Sequence, residues 1–176
     1  MEQEIETERL ILRKLTEDDV EGMFELDSDP DVHRFLGNNP LKSVEQSLEA
    51  IKLIQEQYIT NKIGRWAVIE KVSGDFMGWS GLKLNTHIVN NHQNFHDIGY
   101  RFIKRFWGKG YATESALPWL NYGFNTLNIE VIYGLADIAN AGSNNVLTKL
   151  GLEFIEEFDY DGIRHNWYKL SREQYK

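Results

Sequence analysis

The sequence predicts an α+β domain, with one mixed, mostly antiparallel sheet flanked by helices and a single domain over residues 1–176. Three observations carry this. The chain has 176 residues, enough for one real core and too few for two comfortable ones. Strand-like and helix-like periods follow one another as β-α-α-β-β-β-α-β-α-β-β, which is not the strict alternation of a parallel α/β fold. Two of the joins between strands read as tight hairpin turns.

The elements run as follows. "RLILRKL" (9–15) alternates as a strand does. Thr16 opens a helix with Asp19 three residues on, a variant capping box, and Val20, Met23 and Phe24 form its apolar stripe. Ser43 and Gln46 form the S-x-x-Q box of a second helix. Val44, Leu48, Ile51, Gln55 and Tyr58 follow at helical spacing, apolar except for Gln55. "RWAVIEK" (65–71), a Ser-Gly-Asp turn and "FMGWSGLKL" (76–84) read as a hairpin. After an Asn/His-rich loop comes the strand "FHDIGYRFIKRF" (95–106).

A helix from about Tyr111 carries Ala112, Ala116, Trp119, Leu120, Gly123, Phe124 and Leu127. Pro118 inside it should kink it or cost it a hydrogen bond. "IEVIYGLAD" (129–137) is a strand, and residues 95–137 should form a parallel, right-handed crossover. Asn140 to Leu150 is a short helix stopped by Gly151. The last two strands are joined by Asp161-Gly162, a strong hairpin signal.

Bulk properties narrow the function classes. No stretch reaches the ~18 apolar residues of a membrane span. The acidic start lacks the pattern of a signal peptide. The absence of cysteine removes disulfides, thiolate catalysis and cysteine-ligated zinc, and fits a cytoplasmic chain. A formal net charge of −8 argues against a broad nucleic-acid-binding face.

Gly108-Lys109-Gly110 stands at a strand-to-helix turn. A dinucleotide fingerprint would need a third glycine where Thr113 stands. A P-loop would need Ser or Thr after Gly-Lys, and Gly110 follows instead. The general mechanism survives: amides at a helix N-terminus bind anions, and glycines let a phosphate come close. The plain alternative is a tight turn with no ligand.

"WGKGYATESALPWL" followed by "DIANAGSNNVLTKLGLEFI" resembles the acetyl-CoA-binding core of the GNAT acyltransferase superfamily. The nearest resemblance is to its RimJ/RimL-type branch, the ribosomal-protein N-terminal acetyltransferases and their relatives. That family's turn, [Q/R]-x-x-G-x-[G/A], falls on Trp107 to Ala112, with Trp107 in place of Gln or Arg. Its second mark falls on Asn140, Ser143, Lys149 and Gly151, with Leu152 replacing the aromatic. "TERLILRKLTEDD" and "WAVIEKVSGDFMGWSGL" also resemble the branch, so the likeness spans nearly the whole chain in order.

The resemblance implies a GNAT-like fold, acetyl-CoA as acyl-donor cosubstrate, no metal, and an amine acceptor, either a peptide terminus or a small amine. It implies a monomer or homodimer with no nucleic-acid or membrane partner. Amides of Gly108, Lys109, Gly110, Tyr111, Ala112 and Thr113 would cradle the CoA pyrophosphate. Backbone at Phe102, Ile103 and Lys104 would pair with the pantetheine arm as an added strand does. Lys104, Arg105 and Lys109 would add charge for the phosphates or form a solvated basic rim.

Direct attack of an amine on a thioester needs a neutral amine and stabilisation of the oxyanion and leaving thiolate. Asp97 is the first candidate base, standing where the branch writes Glu in "E-I-G-Y"; a surface carboxylate is the alternative. His96 would face the other side, and Glu114 on the first turn of the helix reads as structural. Many members of the family carry a tyrosine acid seven residues after the asparagine, and Leu147 stands there. Ser143 is the replacement candidate, donating to the thiolate, with Asn140 hydrogen-bonding pantetheine; both also fit an ordinary helix start.

Asp27, Asp29 and Asp31 have calcium-loop spacing, but Pro30 and Val32 spoil it. His87, His92 and His96 lie in an Asn-rich loop without metal geometry. Trp66, Trp79 and Trp107 read as core. Together the glycine turn and the family resemblance point to an acyl-CoA-dependent N-acyltransferase; the rival is a noncatalytic CoA- or nucleotide-binding sensor.

Overall fold

The computed structural model describes residues 4–175; Met1 to Gln3 and Lys176, part of the expected domain, lie outside the described residues. One sheet organises the chain. Its strands are β1 (Glu4–Glu6), β2 (Leu10–Lys14), β3 (Trp66–Glu70), β4 (Phe76–Asn85), β5 (Phe95–Phe102), β6 (Val131–Asp137), β7 (Glu153–Tyr160) and β8 (Ile163–Ser171). They lie in the order β1-β2-β3-β4-β5-β6-β8-β7. Every neighbouring pair is antiparallel except β5 and β6. The helices are α1 (Val20–Ser28), α2 (Pro30–His33), α3 (Val44–Thr60), α4 (Tyr111–Asn121) and α5 (Ala141–Lys149). The expected mixed, mostly antiparallel sheet with helices on it is the one observed.

The sheet register sorts its residues between two faces. Leu10, Leu12, Trp66, Val68, Leu82, Ile98 and Ile132 point to one face and are buried with Ala116, Trp119 and Leu120 of α4. Trp66 meets Trp119 edge-on, with ring centroids 5.0 Å apart. Leu147 of α5 packs on the same side. It lies so close to Gly134 that a Cβ there would stand 2.6 Å from the leucine methyl. The other face carries α1 and α3. Gln55 of α3 donates to the Leu15 carbonyl at 3.0 Å, and the Tyr58 hydroxyl donates to the Arg65 carbonyl. A second, smaller core lies where β5, β6, β8 and β7 meet, formed by Val89, Phe95, Phe158 and Trp167 with Tyr133, Leu135 and Tyr160 against it.

Several local expectations need correction. The strand expected over 95–106 ends at Phe102. A 3-10 turn over 104–106 follows, with Phe106 N bonding to Ile103 O and Trp107 N to Lys104 O, and it bends the chain toward α4. Short β1 and α2 carried too little period to be read from sequence. The Ser43-Gln46 box is rearranged: the Gln46 side chain accepts from the Lys42 amide at 2.8 Å and Ser43 makes no cap bond. The helix with Pro118 does not break there. It runs on into a π turn over 122–126, where Leu127 N reaches Tyr122 O. Asp161 and Gly162 both take positive φ, 50° and 79°, as a two-residue hairpin of primed type requires.

Trp119 is 1% exposed at the centre of the larger core. Trp119→Ala is expected to cost about 3–5 kcal/mol of unfolding free energy, read from urea denaturation.

Candidate active site

The parallel pairing of β5 with β6 covers two residue pairs, His96–Ile132 and Asp97–Tyr133. Beyond them β5 continues to Phe102 and β6 to Asp137 without pairing to each other. Five residues of β5, roughly 17 Å of strand, therefore show their backbone to an open wedge. The wedge closes at Asp97 and opens toward the turn at 103–110.

A buried polar cluster holds the apex. Arg65 Nη2 donates to Asp97 Oδ2 at 2.7 Å, and Nη1 donates to the Asp97 carbonyl at 2.9 Å and to the Gly81 carbonyl. Asn85 Nδ2 donates to Asp97 Oδ1 at 2.7 Å. The guanidinium reaches Asp97 across a strip of sheet without side chains. A Cβ on Gly99 would lie 2.5 Å from Arg65 Nη2 and 2.7 Å from Cζ. Next along, Trp79 stacks under both Arg65 and Arg101, whose Cζ atoms lie 5.5 and 4.9 Å from the ring centroid. Arg101 donates to Asp27 of α1 at 2.7 Å.

At the wide end, Gly108 and Gly110 take φ of 73° and 83°, the region that favours glycine. A Cβ on Gly108 would meet nothing within 4 Å. Gly110 caps α4, and Glu114 N is the amide that bonds back to Gly110 O. The amides of Tyr111, Ala112 and Thr113 therefore have no acceptor within the helix, and they face the macrodipole's positive end. Glu114 anchors this turn to β2. Its Oε1 accepts from the Thr7 hydroxyl at 2.6 Å and from Arg9 N at 2.8 Å, and its Oε2 accepts from Arg9 Nε at 2.7 Å. Burial works to raise the Glu114 pKa, but these bonds outweigh it and hold the carboxyl below its usual range.

The far wall of the wedge is the start of α5. Asn140 caps the helix, its Oδ1 accepting from Ser143 N at 3.1 Å. The Tyr100 hydroxyl donates to Ser143 O at 3.0 Å and lies 3.3 Å from Ser143 Oγ. Burial drives the Tyr100 pKa upward, so the phenol keeps its proton. Asn144 joins the helix to the sheet, its Oδ1 accepting from Asn166 at 2.8 Å and from the Tyr168 hydroxyl at 2.7 Å.

The sequence-expected residues divide accordingly. Phe102 and Ile103 end the open strand. Gly108, Lys109, Gly110, Tyr111, Ala112 and Thr113 form the turn and first turn of α4, and Asn140 and Ser143 stand at the start of α5, with Ser143 against Tyr100 of β5. Lys104 is ion-paired with Asp31 and Arg105 with Glu25, so neither is a free phosphate ligand. Among the described residues Lys109 has no carboxylate partner within salt-bridge reach, and it lies over the Phe106 ring. Asp97, the expected base, is not a surface carboxylate. It is buried, and both its oxygens accept hydrogen bonds. His96 points to the opposite face, and burial lowers its pKa.

Asp27, Asp29 and Asp31 have separate structural partners: Arg101, the Asp31 amide and Lys104. Among the described residues no group of three or more His, Asp or Glu could hold a metal ion. Trp66 is core, but Trp107 is 46% exposed beside the turn, its Nε1 donating to Phe102 O.

Sequence reasoning missed Arg65 and Tyr100. Glycines inside strands, at Gly81 and Gly99, were the available signal of a close approach. Tyr100 shares its strand face with the apolar Ile98 and Phe102, and its hydroxyl was the signal there.

Comparison with known proteins agrees with this architecture. The family described as acetyltransferase (GNAT) domain matches residues 9–153. The uncharacterized N-acetyltransferase YoaA of Bacillus subtilis (strain 168) is 30% identical over 149 residues, covering 85% of this chain and 82% of its own. Two solved structures share the fold. An acetyltransferase (GNAT family) from Bacillus anthracis has a TM-score of 0.81 at 23% identity, covering 97% of this chain and 99% of its own. RimL, a ribosomal alpha-N-protein acetyltransferase in complex with coenzyme A, has a TM-score of 0.79 at 16% identity, covering 96% and 97%.

Arg65→Met would leave the Asp97 carboxylate buried without its cation, which costs about 3–5 kcal/mol. Denaturant unfolding of this variant should register that loss, and adding Asp97→Asn should recover part of it. Equal stability of Arg65→Met and wild type would mean that the pair does not hold the apex.

Proposed function

The chain belongs to the GNAT acetyltransferase family, and from that footing we propose that it transfers the acetyl group of acetyl-CoA to a primary amine by direct attack. The observation that carries the reading is the wedge between β5 and β6, with unpaired helix amides at its wide end and a polar apex at the other. The pyrophosphate lies on the amides of 108–113, helped by the helix dipole at about 0.3–1 kcal/mol per charge and by Lys109. The pantetheine amides pair with the free edge of β5 beyond Asp97, as an added strand does; at its end Phe102 O already accepts from Trp107 Nε1 and Ile103 N already donates to Met77 O. Asn140 binds the arm from the other wall.

The thioester then reaches the apex. The Ser143 hydroxyl, oriented by Tyr100, donates a hydrogen bond to the leaving thiolate, which takes up the proton that the amine loses. Asp97 stays close to the amine, and with Arg65 on one oxygen and Asn85 on the other it offers a fixed charge and a hydrogen bond. Such a site suits an amine that loses its proton easily. At pH 7 the neutral form costs about 4.6 kcal/mol for a lysine side chain of pKa near 10.4, and about 1–1.4 kcal/mol for an α-amine near 7.7–8.0. The acceptor is therefore an α-amine, of a peptide or of a small molecule. Thioester consumption against peptides with a free terminus and blocked lysine, and the reverse, should favour the terminus, with the acylated product identified by mass. Faster ε-acylation at neutral pH would sink the α-amine assignment, and binding of acetyl-CoA without turnover of any amine would favour a sensor.

Any side chain on Gly108 enters the space assigned to the pyrophosphate. Gly108→Ala should weaken acetyl-CoA binding at least tenfold, about 1.4 kcal/mol, by calorimetry. Gly151→Ala is the control, because Gly151 has the same left-handed backbone, φ 88°, at the far end of α5. Equal affinities in the two variants would put the cofactor elsewhere.

Ser143→Ala should lower kcat about 10²-fold with little change in acetyl-CoA affinity. Tyr100→Phe should give a smaller loss of the same kind.

A further inference from the structure

Lys83 stands directly across from Asp97 in the β4–β5 ladder, so both side chains leave the sheet on the same face at the apex of the wedge. That face also carries Arg65, Asn85 and, across β6, Tyr133. The opposite face is filled by Leu82, Ile98 and Ile132 against α4, so an acceptor can meet the thioester only on the Lys83 side. Lys83 is partly buried, yet among the described residues it has no salt-bridge or hydrogen-bond partner. The carboxylate that acts on it is Asp97, which already holds Arg65 and Asn85; Arg65 and burial both work against the ammonium. Two cations and one carboxylate thus make the acceptor side of the apex locally positive in a chain of net charge −8.

We propose that Lys83 is a specificity-determining residue that receives an anionic group, such as a carboxylate, carried by the same molecule as the acceptor amine. The inference rests on the acyl-transfer reading above and narrows it: the acceptor is an amine with an anion nearby, not a polycation. The chemistry is self-consistent. A cationic surrounding disfavours the ammonium form of the incoming amine and so helps it to the neutral nucleophile. The acceptor's own anion offsets the charge that would otherwise repel it. A polyamine would bring several positive charges to two fixed ones and gain no partner. In the transfer the amine nitrogen forms the amide bond, the carbon–sulfur bond breaks, and the proton lost by the amine balances the one taken up by the thiolate.

The test compares alanylglycine, its C-terminal amide and spermidine as acceptors, with wild type and Lys83→Met. Both thioester consumption and acceptor binding to the CoA-loaded protein are measured, the latter by quenching of tryptophan fluorescence. Wild type should use alanylglycine with kcat/KM about tenfold above the amide, and spermidine least. Lys83→Met should erase the difference between alanylglycine and its amide, and Lys83→Arg should keep part of it. Turnover that ignores the carboxylate, or prefers spermidine, would overturn the Lys83 assignment and leave the transferase reading standing. No turnover, with carboxylate-dependent binding that Lys83→Met removes, would uphold the anion site and overturn the transfer. Absence of both would overturn both.

Discussion

The Arg65 guanidinium is the constraint on which the rest of the site depends. A charge taken out of water is tolerated when it is paired and its donors are used. Here its donors go to Asp97 Oδ2, the Asp97 carbonyl and the Gly81 carbonyl. The same contacts join three strands at one point, because Arg65 directly precedes β3, Gly81 lies in β4 and Asp97 in β5. Glycine at 99 is required for that path, since a single added carbon would collide with the guanidinium. The last β5–β6 pair falls on Asp97, so the ion pair sits where the sheet begins to divide.

From that point the sheet is left deliberately incomplete. An open strand normally has its exposed amides and carbonyls covered or blunted. Here β5 keeps a free edge, with α4 and α5 packed on the same face of the sheet beside it. The Tyr100–Ser143 contact bridges from the free strand to α5. The helix that follows begins with its own unbonded amides at the wide end of the same opening. Backbone hydrogen-bonding capacity is thus concentrated along one groove, which suits a ligand with amides along its length and phosphates at one end.

Charge is distributed with comparable economy. The basic side chains that lead into the turn are mostly neutralised: Lys104 by Asp31, Arg105 by Glu25 and Arg9 by Glu114. These pairs tie the turn to α1, to α2 and to the start of β2, and leave the helix amides and Lys109 outside them. At the apex the balance is the reverse, with Lys83 left over beside a pair that is already satisfied.

The sequence by itself determined the order of the longer elements, the mixed sheet and the glycine turn. Those features are local: alternation in "RLILRKL", helical spacing after Ser43, Asp161-Gly162 at a hairpin, and Gly108 and Gly110 before a helix each need only near neighbours. The family likeness drew on the same local runs. Tertiary structure alone decided what Asp97 is. Its partners Arg65 and Asn85 lie 32 and 12 residues away, and no pattern in "FHDIGY" reports a guanidinium arriving across two strands. The same holds for Tyr100, whose hydroxyl meets Ser143 across 43 residues, and for Lys104, paired across 73. A residue type states what a side chain can do; the fold decides which of its partners are already taken.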